Sequence, residues 1–420
     1  MIARALLPLV VLAAVLAPAG TTAGPAVYSG TIRFAGVEPS GIGLRVSGDE
    51  VTVTLGPGHV AQARVPLRRV RGTLRFSAPG LPEPVVLALR TKGTRLTGTA
   101  VQGSARATVT LTRGRASPDT TLGYYESPGV EITRFTRSGF STAPFAIDVD
   151  TGAFGQPPRT GARLAVRQYE VRIAASGAVL GGTLTVPPGP GLHPGVVYVS
   201  GSGPTLREEA HWLDSVFVSR GIAVLAYDKR GNGQSTGRYP GSLASDATIR
   251  TLAGDAVAAA RFLAAQAGID QSRVGLYGLS QGGWVIPQAA GRAGVVSWAV
   301  VQSGPTVTQG EADTYANLVA SGVPLPAAEA QARSAGPSGY DPRPWIERLR
   351  IPVLWLYAGR DHAQPVQHSR EILKEISPGH DFAVEYYPDA PHPLFDAGGF
   401  PVGLFGSVRE WLAAHGLSGT

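Results

Sequence analysis

The sequence predicts an α/β fold, a doubly wound, mostly parallel sheet with a small helical lid, preceded by a small all-β domain. Three observations predict it. Six apolar runs in the second half of the chain alternate with helix-like stretches. The front of the chain reads as short strands with no helical period between them. One of the six runs passes through a glycine-flanked serine straight into a helix.

The six runs are Gly195–Val199, Ile222–Tyr227, Arg273–Tyr277, Trp298–Val301, Val353–Tyr357 and Phe382–Tyr386. Their residues are apolar without alternation, so both faces of each strand need cover, as in a parallel sheet flanked by helices. Asp255–Leu263 is the clearest intervening helix, and Tyr169–Ile173 with Leu184–Val186 reads as an opening β-hairpin. An insertion at 304–350 contains helical and proline-rich pieces and is a candidate lid. Within it, Tyr315 and Trp345 read first as core residues and second as the lining of an acyl pocket.

In the front segment, Thr31–Phe34, Val51–Leu55, Gly72–Phe76, Val85–Leu89 and Ala107–Leu111 are β-branched or alternating, with Gly, Pro and Ser between them. That pattern predicts a small antiparallel sandwich or barrel. It carries no catalytic constellation, so its expected role is structural or in framing a cleft. The resulting organisation is a signal peptide over 1–23, a β domain over 24–115, a connecting segment with some β structure over 116–164, and the α/β domain over 165–420.

The signal peptide is read from Arg4, the apolar run Ala5–Ala17 and the cleavage-like Ala17-Pro18-Ala19. That run is too short for a hydrocarbon core that needs about 20 residues. The expected location is therefore outside the cytoplasm, secreted or in the periplasm or cell envelope, with no integral membrane span in the mature chain. The net charge of +7 comes almost entirely from arginine. Its densest cluster, Leu67–Arg71, alternates with apolar residues and reads as a strand face, not a nucleic-acid surface. The chain has no cysteine, which excludes disulfides, thiolate metal sites and a cysteine nucleophile.

The chemistry centres on Gly278-Leu279-Ser280-Gln281-Gly282. A nucleophile on a sharp strand-to-helix turn has a strained backbone, and a side chain at either flanking position would clash. Ser280 is thus the candidate nucleophile. A serine hydroxyl needs a base, and the base an orienting acid, here in the order Ser, acid, His. Of the downstream histidines, His362 abuts the best acid, His368 and His380 flank a helix, and His415 ends the final helix. His392 lies in the loop after the last apolar strand and is the candidate base. Asp361, just after the Val353–Tyr357 strand, is the candidate acid, with Asp389 as runner-up. The oxyanion donors are expected to be the backbone N–H groups of Gln281 and of Ser202, in the loop Ser200-Gly201-Ser202-Gly203-Pro204. No cofactor is needed, and no H-E-x-x-H or similar metal spacing is present.

These residues, together with Tyr227-Asp228-Lys229-Arg230-Gly231-Asn232-Gly233-Gln234-Ser235 and Gly359-Arg360-Asp361, resemble bacterial α/β-hydrolases related to acyl esterases and dienelactone hydrolases. The resemblance covers roughly 165–420. Exported members often carry a small β domain in front, and residues 28–113 are similar to it. The resemblance implies hydrolysis of a small-molecule ester through an acyl-enzyme, and a structural role for Asp228 and Arg230. One departure is Ser200-Gly201, where many relatives have His-Gly. Two other readings stay open. One is a serine aminopeptidase or acylaminoacyl-type peptidase with the same triad, for which Glu208-Glu209 would supply an acidic subsite if it is not simply a helix N-terminus. The other is a non-catalytic binding protein on the same fold.

Overall fold

The computed structural model describes residues 26–418, apart from 33–39, 56–61, 79–84, 115–122, 128–129, 138–143, 148–153, 156–161, 164–165, 211–212, 214–215, 242–243 and 396–399. The signal-peptide reading therefore lies outside the described residues.

The front of the chain forms nine antiparallel strands: β1 Ala26–Ile32, β2 Ser40–Ser47, β3 Glu50–Leu55, β4 Gln62–Pro66, β5 Arg68–Val70, β6 Thr73–Ala78, β7 Val85–Lys92, β8 Arg95–Gln102 and β9 Ala105–Gly114. They pair in the order β4-β3-β2-β1-β9-β8-β7-β6-β5. The two ends of that order, β4 and β5, are one stretch of chain broken only at Leu67, and β4 lies against β6. The sheet therefore curls round in the manner of a barrel, its two end strands brought together by the chain itself. Alternation decides what fills it. Along β7, Val85, Leu87 and Leu89 are buried while Val86 points outward, and Ile42, Leu44, Val53, Phe76 and Leu111 join the same interior. Arg71 and Gly72, both at positive φ, make the two-residue turn between β5 and β6.

Five short strands follow, β10 Gly123–Ser127, β11 Val130–Arg137, β12 Pro144–Ile147, β13 Phe154–Gly155 and β14 Ala162–Arg163, in the order β13-β12-β11-β10-β14.

The third sheet has eight strands: β15 Arg167–Ala175, β16 Ala178–Val186, β17 His193–Val199, β18 Ala223–Tyr227, β19 Ile269–Leu279, β20 Val296–Gln302, β21 Val353–Arg360 and β22 Phe382–Pro391. Their order is β15-β16-β18-β17-β19-β20-β21-β22. The β15–β16 hairpin and its contact with β18 are antiparallel, and every later pair is parallel. The helices are α1 Asp246–Ala264, α2 Gly282–Ala293, α3 Gln309–Ala320, α4 Leu325–Ala335, α5 Arg343–Ile346, α6 Val366–Ile376 and α7 Leu404–Ala414. Ser245 caps α1, its hydroxyl accepting from the Thr248 N–H at 3.2 Å. The strands are apolar on both faces because each face has its own core. Val197 and Val199 pack with Ala256 and Ile286 on one side; Val196 and Tyr198 pack with Phe217 and Trp298 on the other. None of these helices is long and apolar enough to cross a membrane.

The expected strands are all present, and the last two run further than their apolar runs predict. The extension matters, because pairing of β21 with β22 continues to Arg360 opposite Pro391, with a register shift after Ala358. The residues that follow these two strands, Asp361 and His392, therefore leave the sheet side by side. Gly359 permits the shift: a Cβ there would come to 2.2 Å from the Pro388 carbonyl oxygen.

Candidate active site

Ser280 sits between β19 and α2 at φ 53°, a left-handed conformation that a non-glycine residue adopts only under constraint. Its N–H donates to the Gln302 carbonyl at 2.9 Å, and its own carbonyl accepts from Gly283 N–H at 2.7 Å. The flanking glycines are sterically required. A Cβ at Gly278 would meet Ile286 Cδ1 at 2.6 Å, and one at Gly282 would meet the Val199 carbonyl oxygen at 2.5 Å. The turn thus wedges between the ends of β17 and β20.

Asp361 is buried and its carboxylate is fully engaged. Oδ1 accepts from the N–H groups of Ala363 at 2.7 Å and Gln364 at 3.2 Å. Oδ2 lies 2.7 Å from His392 Nδ1 and accepts from Gln364 Nε2 at 3.3 Å. These bonds fix the carboxylate and, through it, the imidazole. The His392 loop is anchored by Leu394, fully buried at φ 55°. The rival groups are placed elsewhere. Asp389 is exposed, and it is its carbonyl that accepts from Arg360 Nε at 2.6 Å. His368 Nδ1 meets Glu311 at 2.5 Å, His380 contacts the Glu347 carbonyl, and His415 contacts the Trp411 carbonyl. His362 is exposed.

The Ser200–Pro204 loop follows β17 directly. Thr205 Oγ1 donates to Ser200 Oγ at 2.6 Å, which gives Ser200 a defined partner. Gly201 lies against Ser280: a Cβ there would be 3.4 Å from Ser280 Cβ. Gln281 opens α2, where backbone N–H groups and the helix dipole favour negative charge. Nothing is described of the Glu208 and Glu209 side chains.

Asp228 and Arg230 have structural partners. Asp228 accepts from Arg207 N–H at 3.0 Å and Gln234 N–H at 2.7 Å, and burial nonetheless pushes its carboxyl above the ordinary value. Arg230 makes a bidentate pair with buried Asp255 at 2.7 and 2.5 Å. Tyr315, in α3, donates its hydroxyl to the Asp361 carbonyl at 2.6 Å, and burial keeps that phenol protonated. It packs as a core residue tying the 304–350 insertion to the Asp361 loop. Trp345 packs partly buried against the main core, with Arg348 over its ring.

Two residues have roles that pattern reading of the sequence does not reveal. Gln302, at the end of β20, accepts from Tyr277 Oη and donates Nε2 to the Pro393 carbonyl, both at 2.5 Å. With its backbone holding Ser280, it joins the Ser280 turn to the His392 loop. The only signal was a glutamine closing an apolar strand. Lys229, buried between two other charges, donates to the Gly201 carbonyl and, at 3.3 Å, to Gln281 Oε1.

The barrel meets the α/β region beside this site. Leu206 packs into the barrel's core, and a cavity of about 560 Å3 is lined by Arg68, Arg75 and Phe76 on one side and Pro204 and Gly233 on the other. Among the described residues, no group of three or more His, Asp or Glu side chains is placed to hold a metal ion.

Residues 208–414, just under half of the chain and wholly within the α/β region, match the prolyl oligopeptidase family of peptidases. No curated protein matches the chain. Among solved structures, an esterase of Pyrococcus furiosus is 20% identical, with a TM-score of 0.48, covering 61% of this chain and 96% of its own. An acetyl xylan esterase from Paenibacillus sp. R4 is 21% identical, with a TM-score of 0.44, covering 59% of this chain and 84% of its own. A dienelactone hydrolase from Anabaena variabilis is 19% identical, with a TM-score of 0.41, covering 59% of this chain and 98% of its own.

Proposed function

We propose that this α/β-hydrolase-fold protein, a serine hydrolase by its prolyl oligopeptidase family domain, cleaves carboxylic esters through an acyl-enzyme on Ser280, His392 and Asp361. The observation that carries the reading is the 2.7 Å contact between Asp361 Oδ2 and His392 Nδ1, beside a serine held at positive φ. With Asp361 fixing the tautomer, His392 Nε2 is the free base. It takes the Ser280 hydroxyl proton as Oγ attacks the ester carbonyl. The negative charge that develops on the carbonyl oxygen is met by the N–H groups of Gln281 and Ser202. Collapse of the adduct expels the alcohol, which receives the proton from His392. Water, deprotonated by His392, then attacks the acyl-enzyme, and as the bond to Ser280 Oγ breaks His392 returns the proton to that oxygen, releasing the acid and restoring Ser280.

The choice of esters follows from the motifs that resemble acyl esterases and dienelactone hydrolases. The second reading, a peptidase with the same three residues, is favoured by the family match itself. Export through residues 1–23 completes the proposal.

p-Nitrophenyl esters of graded acyl length, run beside aminoacyl p-nitroanilides, test it. Ester turnover that vanishes in Ser280→Ala is expected, and ester turnover surviving that change would sink the mechanism. Dominant anilide turnover favours the peptidase; no turnover of either favours a non-catalytic binding protein. Intact mass of the secreted protein tests export, which fails if residues 1–23 are still attached.

A further inference from the structure

We propose that Lys229 is a positioning residue of the oxyanion hole, holding the Gly201–Ser202 peptide so that its N–H faces the substrate oxygen; this rests on the acyl-transfer reading above. Lys229 stands two residues beyond β18 and is 3% exposed. Its backbone N–H donates to the Thr205 carbonyl at 3.1 Å, which fixes the stem against the oxyanion-side loop. Its ammonium donates to the Gly201 carbonyl and to Gln281 Oε1 at 3.3 Å.

The Gly201 carbonyl and the Ser202 N–H belong to one peptide unit. In a trans peptide the C=O and N–H point in opposite directions. An ammonium anchoring the oxygen from below therefore turns the Ser202 N–H to the opposite side. Ser280 is close to this unit, since a Cβ at Gly201 would be 3.4 Å from Ser280 Cβ. A cation on the carbonyl oxygen also polarises the amide and makes its N–H a stronger donor. The second acceptor is the side chain of Gln281, whose N–H is the other proposed donor. One ammonium thus ties together the two segments, after β17 and after β19, that must stay in register as charge develops on the substrate. Its own charge lies one peptide behind that oxygen, in a site where burial leaves electrostatic interactions weakly screened.

Lys229→Met removes both bonds and the charge; Lys229→Gln keeps an amide donor for the Gly201 carbonyl and removes the charge. Both are compared with wild type on p-nitrophenyl butyrate, with kcat expressed per Ser280 titrated by a fluorophosphonate. For Lys229→Met, kcat is expected to fall roughly 10- to 100-fold with KM within about threefold, a weakening short of losing a whole donor. Lys229→Gln is expected to fall between, and decides the matter if the Met variant does not fold. Affinity for a trifluoromethyl ketone, whose serine adduct carries an oxyanion, should fall by the same factor as kcat/KM. A merely structural lysine would lower the number of titratable sites and leave kcat per site unchanged. That result, or a loss confined to KM, overturns the proposal while the ester reading stands. A wild type without Ser280-dependent ester turnover removes the reading and the proposal together.

Discussion

The barrel and the α/β region bury their side chains differently. Among the described residues, Thr73 is the barrel's one buried polar side chain, with a hydroxyl that accepts from Arg90 Nε at 2.8 Å. The α/β region buries Arg207, Asp228, Lys229, Arg230, Asp255, Glu311 and Asp361. Burying a charge is unfavourable unless partners replace its water. The barrel avoids that cost and is held by apolar burial. The α/β region accepts it after β17, β18 and β21 and within α1 and α3, where each charge has a placed partner. Buried charge therefore marks where this molecule needs position as well as stability.

The sharpest way to break that contrast is to remove position and leave stability intact. Ser280→Ala is expected to abolish ester turnover, and Asp361→Asn to lower kcat by roughly 10⁴-fold, as loss of the orienting acid does in serine hydrolases. Urea unfolding of either variant, followed by tryptophan emission, should stay close to wild type. An Asp361→Asn enzyme within tenfold of wild type would mean that Asp361 is a structural carboxylate, and the contrast would lose its functional half.

The same contrast decides how much the sequence could disclose. Apolar runs made six of the eight strands of the main sheet legible, because burial leaves a continuous signature, whereas β15 and β16 were legible only as an opening hairpin, β15 being mostly exposed. The turn at Ser280 was legible from its glycines, whose absent side chains are required by Ile286 and the Val199 carbonyl. The nearness of Asp361 and His392 followed only from chain order. Its cause, the continued pairing of Arg360 with Pro391, needed the register. β2, β4, β5 and β8 carried weaker patterns, and the curling of the sheet that brings β4 and β5 together at Leu67 depends on its strand order. The contacts of Gln302 and Lys229 were illegible, since a polar residue at a strand end reads the same whether it faces solvent or another loop.

Next in size is the Arg230–Asp255 pair. Asp255→Ala leaves a guanidinium buried without its carboxylate, and the expected loss is about 3–5 kcal/mol. All six tryptophans follow residue 210, so their emission reports the α/β region and not the barrel. The loss should therefore appear in the tryptophan-monitored transition. A loss below about 1 kcal/mol would mean that Arg230 finds water, and that buried charge is cheaper here than the contrast assumes.

On the barrel side, Leu87→Ala opens a cavity in a fully buried position, with an expected cost of about 2–5 kcal/mol. The barrel has no tryptophan, so the change should show in far-UV circular dichroism, with kcat unchanged. Leu206 is the bridge to watch, because it follows the Ser200–Pro204 loop and packs in the barrel core. A fall in kcat for Leu87→Ala would show that barrel packing sets the loop, and would merge the two regions into one mechanical unit.

The smallest effect concerns pH. The barrel interior holds no ionisable group among the described residues apart from Tyr28, whereas Glu329 in α4 is partly buried against α6. Its Oε1 accepts from the His368 N–H at 2.5 Å, and burial raises its carboxyl above the ordinary 4.5, with His368 opposing and Glu371 reinforcing the shift. A carboxyl raised in the fold is relatively destabilising once ionised. Its contribution is most favourable below the ordinary value and is lost as pH rises through the raised one. Glu329→Gln keeps an acceptor for His368 and cannot ionise. The variant should match wild type near pH 4 and gain about a degree in Tm by pH 8, a gain read from tryptophan emission and absent from the barrel's transition. A gain that grows towards acid pH would reverse the sign and show that the Glu329 charge is held by His368 more strongly than burial opposes it.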